Sequence, residues 1–239
     1  MKLLVAIPAL NEELSITKVI ALIQSDLAQA TPLVIDDGSE DKTAEVARAA
    51  GAKVISIPFN VGVGGAMRVA FKYAFANGYT HVMQIDADGQ HLPSEGSQLL
   101  NADTNNSIVV GSRFLSKDKS YRASGVRRIA MLLLAFIVSR ICRTKLTDVT
   151  SGFRLTSGQG IELFANEYPR EYLGDTVESL IIAHHAGIKI TEVPVSMKYR
   201  ENGNPSQNIL KSSWHLIRAL LIVFLALLRK KDNSHVGGK

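Results

Sequence analysis

The sequence predicts an α/β fold: a mostly parallel sheet with helices on both faces, followed by a C-terminal amphipathic helix. Three observations predict it. Short apolar runs alternate with helical stretches of about ten residues, the rhythm of repeated β-α-β units. The first run, Leu3 to Ile7, is continuously apolar, as in a strand buried on both faces. Polar clusters follow these runs, and in an open parallel sheet they would gather beyond the carboxyl ends of the strands, where ligands bind.

The elements follow in order. Pro8 is expected to end the strand Leu3–Ile7, and Asn11 to cap a helix whose Ile16, Val19, Ile20, Ile23 and Leu27 share one face. Pro32 to Ile35 reads as the second strand, stopped by Asp36-Asp37-Gly38-Ser39, and Asp41 to Ala50 as a helix closed by Gly51. Lys53–Ile57 is the third strand. Asn60-Val-Gly-Val-Gly-Gly has the wrong glycine spacing for a dinucleotide fingerprint and reads as a close-packed loop before a helix, Ala66–Ala76. His81–Ile85 is the fourth strand and Ile108–Val110 the fifth, followed by Gly111-Ser112-Arg113.

With 239 residues, one domain can bury a full core, and a net charge of +5 suits an anionic partner such as phosphate or a membrane surface. No motif supports nucleic-acid binding. Cys142 is the only cysteine, so no intrachain disulfide is possible and a reducing compartment is expected. The apolar start ends at Pro8 without a cleavage pattern, unlike a signal peptide.

The chemistry concentrates in His81–Pro93, HVMQIDADGQHLP. Asp86, Asp88 and Gln90 come at every second position just past a buried strand. Two carboxylates and an amide oxygen there suit a hard divalent cation whose shell is completed by phosphate oxygens and water. An EF-hand is excluded, because Ser97 stands where its twelfth-position glutamate belongs.

Seven segments, VAIPALNEE, VIDDGSEDKT, NVGVGGAMRVAFKYA, QIDADGQH, VVGSRF, DVTSGFRL and EVPVSMKYRENG, lie in order within the stretch from residue 3 to about residue 205. Together they resemble the family-2 glycosyltransferases of the GT-A fold, and most of all the dolichyl-phosphate mannose synthase and polyprenyl-phosphate glycosyltransferase group. The resemblance implies that Pro8, Leu10 and Glu12 line a nucleotide site, with Ile35 and Asp37 beside the base. It implies that Asp86 and Ala87 contact the nucleoside, that Asp88 and Gln90 ligate Mg²⁺ or Mn²⁺, and that Arg113 approaches the phosphates or the acceptor. Asp148–Arg154 (DVTSGFR) is similar to the family's acceptor-side loop, and Lys198 and Arg200 match basic phosphate-binding positions after a strand Ile188–Val195. Glu178 matches the family helix that can carry a general base, and Asp175 is the other candidate. The chain departs at Gly203-Asn204-Pro205-Ser206-Gln207, which lacks the lysine many relatives carry there. His184 and His185 read as structural.

Two apolar runs, Ile129–Val138 and Ala219–Leu228, are flanked by cations, and each is far shorter than the roughly 20 residues that cross a bilayer. Either can be a buried helix or lie in the membrane interface. The resemblance favours the interface for the first, as the acceptor-side helix of enzymes that act on lipid phosphates. The expected organisation is a transferase domain over 1–205, an apolar and basic docking helix over 206–231, and a polar tail over 232–239. The expected activity is metal-dependent, inverting transfer of a sugar from a UDP- or GDP-linked donor to a polyprenyl phosphate at the cytoplasmic membrane face. The alternatives are the same donor with a saccharide or other hydroxyl acceptor, and a non-catalytic sugar-nucleotide-binding scaffold. A homo-oligomer or a membrane-protein partner is also compatible.

Overall fold

The computed structural model describes residues 1–115, 125–169 and 174–198. Arg200, the 203–207 departure and the expected docking helix over 206–231 fall outside them. Among the described residues, one seven-stranded sheet has the order β3-β2-β1-β4-β6-β5-β7. Its strands are β1 (Leu3–Ala9), β2 (Ala30–Asp37), β3 (Lys53–Ile57), β4 (His81–Gln84), β5 (Ser107–Ser112), β6 (Arg154–Ser157) and β7 (Lys189–Pro194). All pairings are parallel except those of β6, which runs antiparallel to both β4 and β5.

Successive side chains of a strand point to opposite faces, and β1 feeds two cores in this way. Leu3, Val5 and Ile7 join the apolar faces of α1 (Ile16–Asp26), α2 (Thr43–Ala49) and α4 (Gly96–Ala102). Leu4 and Ala6 join α3 (Gly62–Ala76), α5 (Gly125–Ile141), α6 (Gln159–Glu167) and α7 (Ser179–His185) on the other face. A mostly parallel sheet covered on both sides is therefore the observed architecture.

Several boundaries differ from expectation. Pro8 does not end β1, which continues to Ala9 with Pro8 paired in register to Ile35. Asn11 does not cap α1: Ser15 holds that position, while Asn11 adopts a left-handed backbone and its Oδ1 accepts the Glu40 N–H at 2.8 Å. α3 begins at Gly62, so the glycine-rich segment forms its first turn rather than a loop. β6, α4 and α6 were not anticipated.

The run Ile129–Val138 lies in α5 and divides between the two readings. Met131, Leu134, Ala135 and Val138 are buried, whereas Ile129, Leu132, Leu133 and Phe136 are 69%, 49%, 48% and 58% exposed. Those four stand at i, i+3, i+4 and i+7, so they form one outward apolar stripe. The Arg140 guanidinium lies 5.4 Å from the Phe136 ring centre, and Arg128 is exposed. Among the described residues, no helix is long and apolar enough to cross a membrane. His184 and His185 close the last turn of α7.

At the opposite edge from the strand ends that carry the chemistry, Asp103 is a polar pin. It accepts from Ser107 Oγ at 2.6 Å and Ser157 Oγ at 2.5 Å and lies 2.9 Å from His81 Nε2. Burial pushes its carboxyl upward, but these bonds and the Asn105 N–H outweigh that and hold it below the usual value.

Candidate active site

The parallel register sets Pro8 beside Ile35 and Ala9 beside Asp36, so the loops leaving β1 and β2 emerge together. They are laced to each other. Asn11 N–H donates to Ser39 Oγ (2.9 Å), Glu12 N–H to Thr43 Oγ1 (2.8 Å), and Lys42 N–H to Glu13 Oε2 (3.0 Å). Glu12 Oε2 accepts from Ser15 Oγ at 2.6 Å, and Leu10 is exposed. Asp37 closes β2, and its carboxylate accepts the N–H groups of Val61 and Gly62, both at 2.8 Å. Burial raises the Asp37 carboxyl above its ordinary value in spite of those bonds. Gly38 must be a glycine: its φ is +76°, and a Cβ there would meet Asn60 N and Phe59 C at 2.9 Å. Pro8, Leu10, Glu12, Ile35 and Asp37 thus share one end of the sheet.

The loop after β4 sits beside them, because β4 pairs with β1. Asp86 is held from three sides. Gln84 Nε2 donates to its Oδ1 (3.1 Å), its own N–H donates to His91 Nδ1 (3.0 Å), and His91 Nε2 lies 3.6 Å from its Oδ2. His91 is buried and stacks on Phe153 at 5.1 Å. Ala87 is buried, whereas Asp88 and Gln90 are half-buried, with Asp88 Oδ1 accepting the Gln90 N–H at 3.0 Å. Gln90 O in turn accepts the Lys198 N–H at 3.0 Å, so Lys198 is brought beside the pair.

No cluster of three or more His, Cys, Asp or Glu side chains suited to a metal occurs among the described residues. Asp88 and Gln90 still fit Mg²⁺ or Mn²⁺ as oxygen donors. These ions commonly take one or two carboxylates from the protein and the remaining ligands from substrate phosphates and water.

A second wall comes from β5, β6 and β7. Arg113 grips Asp148 in a fork, Nε to Oδ2 at 2.6 Å and Nη2 to Oδ1 at 2.7 Å, and also donates to Thr150 Oγ1. Glu192 of β7 receives the N–H groups of Thr147 (2.7 Å) and Asp148 (2.8 Å). Burial lifts the Glu192 carboxyl above its usual range. The 148–153 loop is thereby drawn across the Asp86 loop, and a Cβ on Gly152 would stand 3.0 Å from Gln84 Nε2 and 3.5 Å from both Asp86 carboxylate oxygens. Asp175 is buried and its charge favours that of Arg154, whereas Glu178 is exposed.

The expected residues divide accordingly. Pro8, Leu10, Glu12, Ile35, Asp37, Asp86, Ala87, Asp88, Gln90 and Lys198 are gathered at the carboxyl end of β1, β2 and β4. Arg113 reaches the same edge with its charge already paired to Asp148. His91, Gln84 and Glu192 were missed as site-forming residues, whereas Asp148 lies in DVTSGFR, the segment the resemblance marks as an acceptor-side loop. His91 lay inside the QIDADGQH segment, so the motif itself was a signal. The Glu192–Asp148 bond joins residues far apart in the chain and leaves no local signature.

Acidic loops on one side and an arginine-braced loop on the other meet at the carboxyl ends of a mostly parallel sheet, which is where such sheets bind nucleotides and other ligands. The model of glycosyl transferase family 2 matches residues 4–162, and the chain belongs to that family. The protein is a glycosyltransferase. It is 29% identical to the UDP-N-acetylglucosamine–dolichyl-phosphate N-acetylglucosaminyltransferase of Methanococcus voltae, over 82% of this chain and 85% of that protein. It is 28% identical to the undecaprenyl-phosphate mannosyltransferase of Micrococcus luteus, over 85% of this chain and 86% of that one. The glucosyl-3-phosphoglycerate synthase of Mycobacterium tuberculosis, solved with Mn²⁺ and uridine diphosphate, shares the GT-A fold. Its TM-score is 0.68 at 22% identity, over 94% of this chain and 79% of that one.

Proposed function

We propose that the chain transfers a sugar, with inversion, from a UDP- or GDP-linked donor to a polyprenyl phosphate at the cytoplasmic face of a membrane. The observation that carries the acceptor is the outward apolar stripe of α5, with Arg128 and Arg140 at its flanks. The same helix lies behind the acceptor-side wall. Ala130 and Met131 pack with Phe114, next to Arg113, and Ser139 Oγ donates to Leu146 O and accepts the Leu146 N–H before the chain enters Asp148. An isoprenoid lipid phosphate presents an apolar chain and an anionic head together, and this surface offers apolar and cationic groups side by side. The names of the Methanococcus and Micrococcus relatives point the same way.

In this reading Pro8, Leu10, Glu12, Ile35, Asp37, Asp86 and Ala87 bind the nucleoside. Asp88 and Gln90 would hold Mg²⁺ or Mn²⁺, which neutralises charge on the diphosphate as it becomes the leaving group. Lys198 and Arg200 add positive charge toward phosphate oxygens, and Arg113 orients the loop that meets the acceptor. An acceptor phosphate is already ionised and attacks the anomeric carbon without a base. Asp175 or Glu178 is required as base only if the acceptor is a hydroxyl.

The test supplies the purified protein with UDP- and GDP-sugars, Mn²⁺ or Mg²⁺, and either a polyprenyl phosphate or soluble saccharides. Sugar transfer to the lipid phosphate that stops with chelator is the expected result. Transfer to saccharide alone would overturn the acceptor, and binding without turnover would favour the scaffold.

A further inference from the structure

Arg154 opens β6 at the same edge of the sheet and is buried. Its Nε donates to Ser151 O (2.7 Å) and its Nη2 to Val149 O (2.8 Å), both in the 148–153 loop. Its Nη1 donates to Thr176 O (2.7 Å) and Ser179 Oγ (3.0 Å). Thr176 lies in the π-helical turn Gly174–Glu178, and Ser179 begins α7. Ser179 Oγ also donates to Asp175 O at 2.6 Å, which ties the turn to the same guanidinium. One planar cation therefore spans two segments that have no main-chain ladder between them. Burying a guanidinium is costly unless its donors are satisfied, and an aliphatic side chain would fill a mere packing position without that penalty. What an aliphatic chain could not do is fix the carbonyls of two irregular segments at once.

The segments matter because of what they carry. Gly152, between the two loop carbonyls and the strand, stands against Gln84 and Asp86. Asp175 and Glu178 ride on the turn. We propose that Arg154 is a positioning residue that locks the 148–153 loop and the Gly174–Glu178 turn into one rigid wall, and that this wall sets where the acceptor stands relative to the Asp86–Gln90 loop. Only the identity of the acceptor rests on the lipid-phosphate reading above.

The test uses the full chain with Arg154→Lys, which keeps charge but cannot reach both segments, and Ser179→Ala, which removes one anchor. Arg154→Met is a third variant, and if it fails to fold the first two carry the test. Hydrogen exchange is followed in peptides covering 148–153 and 174–179. Titration with UDP or GDP plus Mn²⁺ reads the donor side, and kcat and KM for the acceptor read the other. In Arg154→Lys, exchange should rise in both segments together, with β1 and β2 unchanged. Acceptor KM should rise and kcat fall, kcat/KM dropping on the order of ten- to a hundredfold, while nucleotide affinity stays within about twofold. Ser179→Ala should show the same pattern more weakly. Unchanged exchange in either segment, unchanged acceptor kinetics, or an equal loss of nucleotide affinity with exchange raised throughout the sheet would overturn the proposal. If the wild type serves only a soluble acceptor, the lipid reading fails, and Arg154 is judged by exchange and by KM for that acceptor.

Discussion

Replacing Asp88 by Asn keeps the shape of the side chain and removes its charge. With Gln90 a neutral donor, turnover should fall by on the order of a hundredfold or more, while the melting temperature stays near wild type. Metal-dependent assays beside a thermal melt check both halves. Arg113 behaves differently. It is braced against an Asp148 side chain with no solvent exposure, so Arg113→Ala strands a buried carboxylate. Stability should drop by about 3–5 kcal/mol along with activity, which denaturant unfolding will show. Asp103 gives a pH signature. Its carboxyl is depressed in the folded state, so its contribution is present above the unfolded value and is lost as pH falls through the folded one. Melting temperature should therefore decline on acidification below about pH 4, and less steeply in Asp103→Asn.

Among the elements, the loop after β2 and the helix α5 invite substitution. Gly38→Ala forces a Cβ into a left-handed backbone and against the Asn60 main chain. It should cost about 1–3 kcal/mol and weaken nucleotide binding, measured by unfolding and by titration. β1, β2 and β5 were legible because a strand buried on both faces carries an uninterrupted apolar run. β6 was not legible, since RLTS is four residues long and begins with an arginine whose burial depends on carbonyls supplied from elsewhere. α3 began earlier than its composition suggested. Glycines 62, 64 and 65 argue for a loop, yet the Asp37 carboxylate accepts the N–H groups of Val61 and Gly62 at the helix start, which have no partner within the helix. The residues proposed for the nucleotide side were readable from local motifs. The Arg113–Asp148–Glu192 chain was not, because only the folded sheet brings it together.

For the molecule as a whole, the outward stripe of α5 and the net charge of +5 make a joint prediction. The protein should float with liposomes containing anionic lipid and be released by salt, since each surface cation contributes about 1 kcal/mol and is screened within a Debye length. Leu133→Glu with Phe136→Glu should abolish flotation and leave the melt unchanged, both side chains being exposed. Sedimentation of the wild type with no lipid bound under any condition would remove the membrane from the account.

The reversed direction of β6 has a different consequence. Because it returns against β5, Val110 pairs with Arg154, and the Gly111 N–H bonds Phe153 O at 2.8 Å. The chain between Ser112 and Gly152 is thus an excursion whose exit and re-entry are neighbours on the sheet. Its length can change without shifting the β5–β6 pairing so long as the core residues of α5 and the Thr147–Asp148 bonds to Glu192 are kept. An excursion grafted from another member of the fold should then bring its acceptor choice with it, while the donor half continues to bind the same nucleotide.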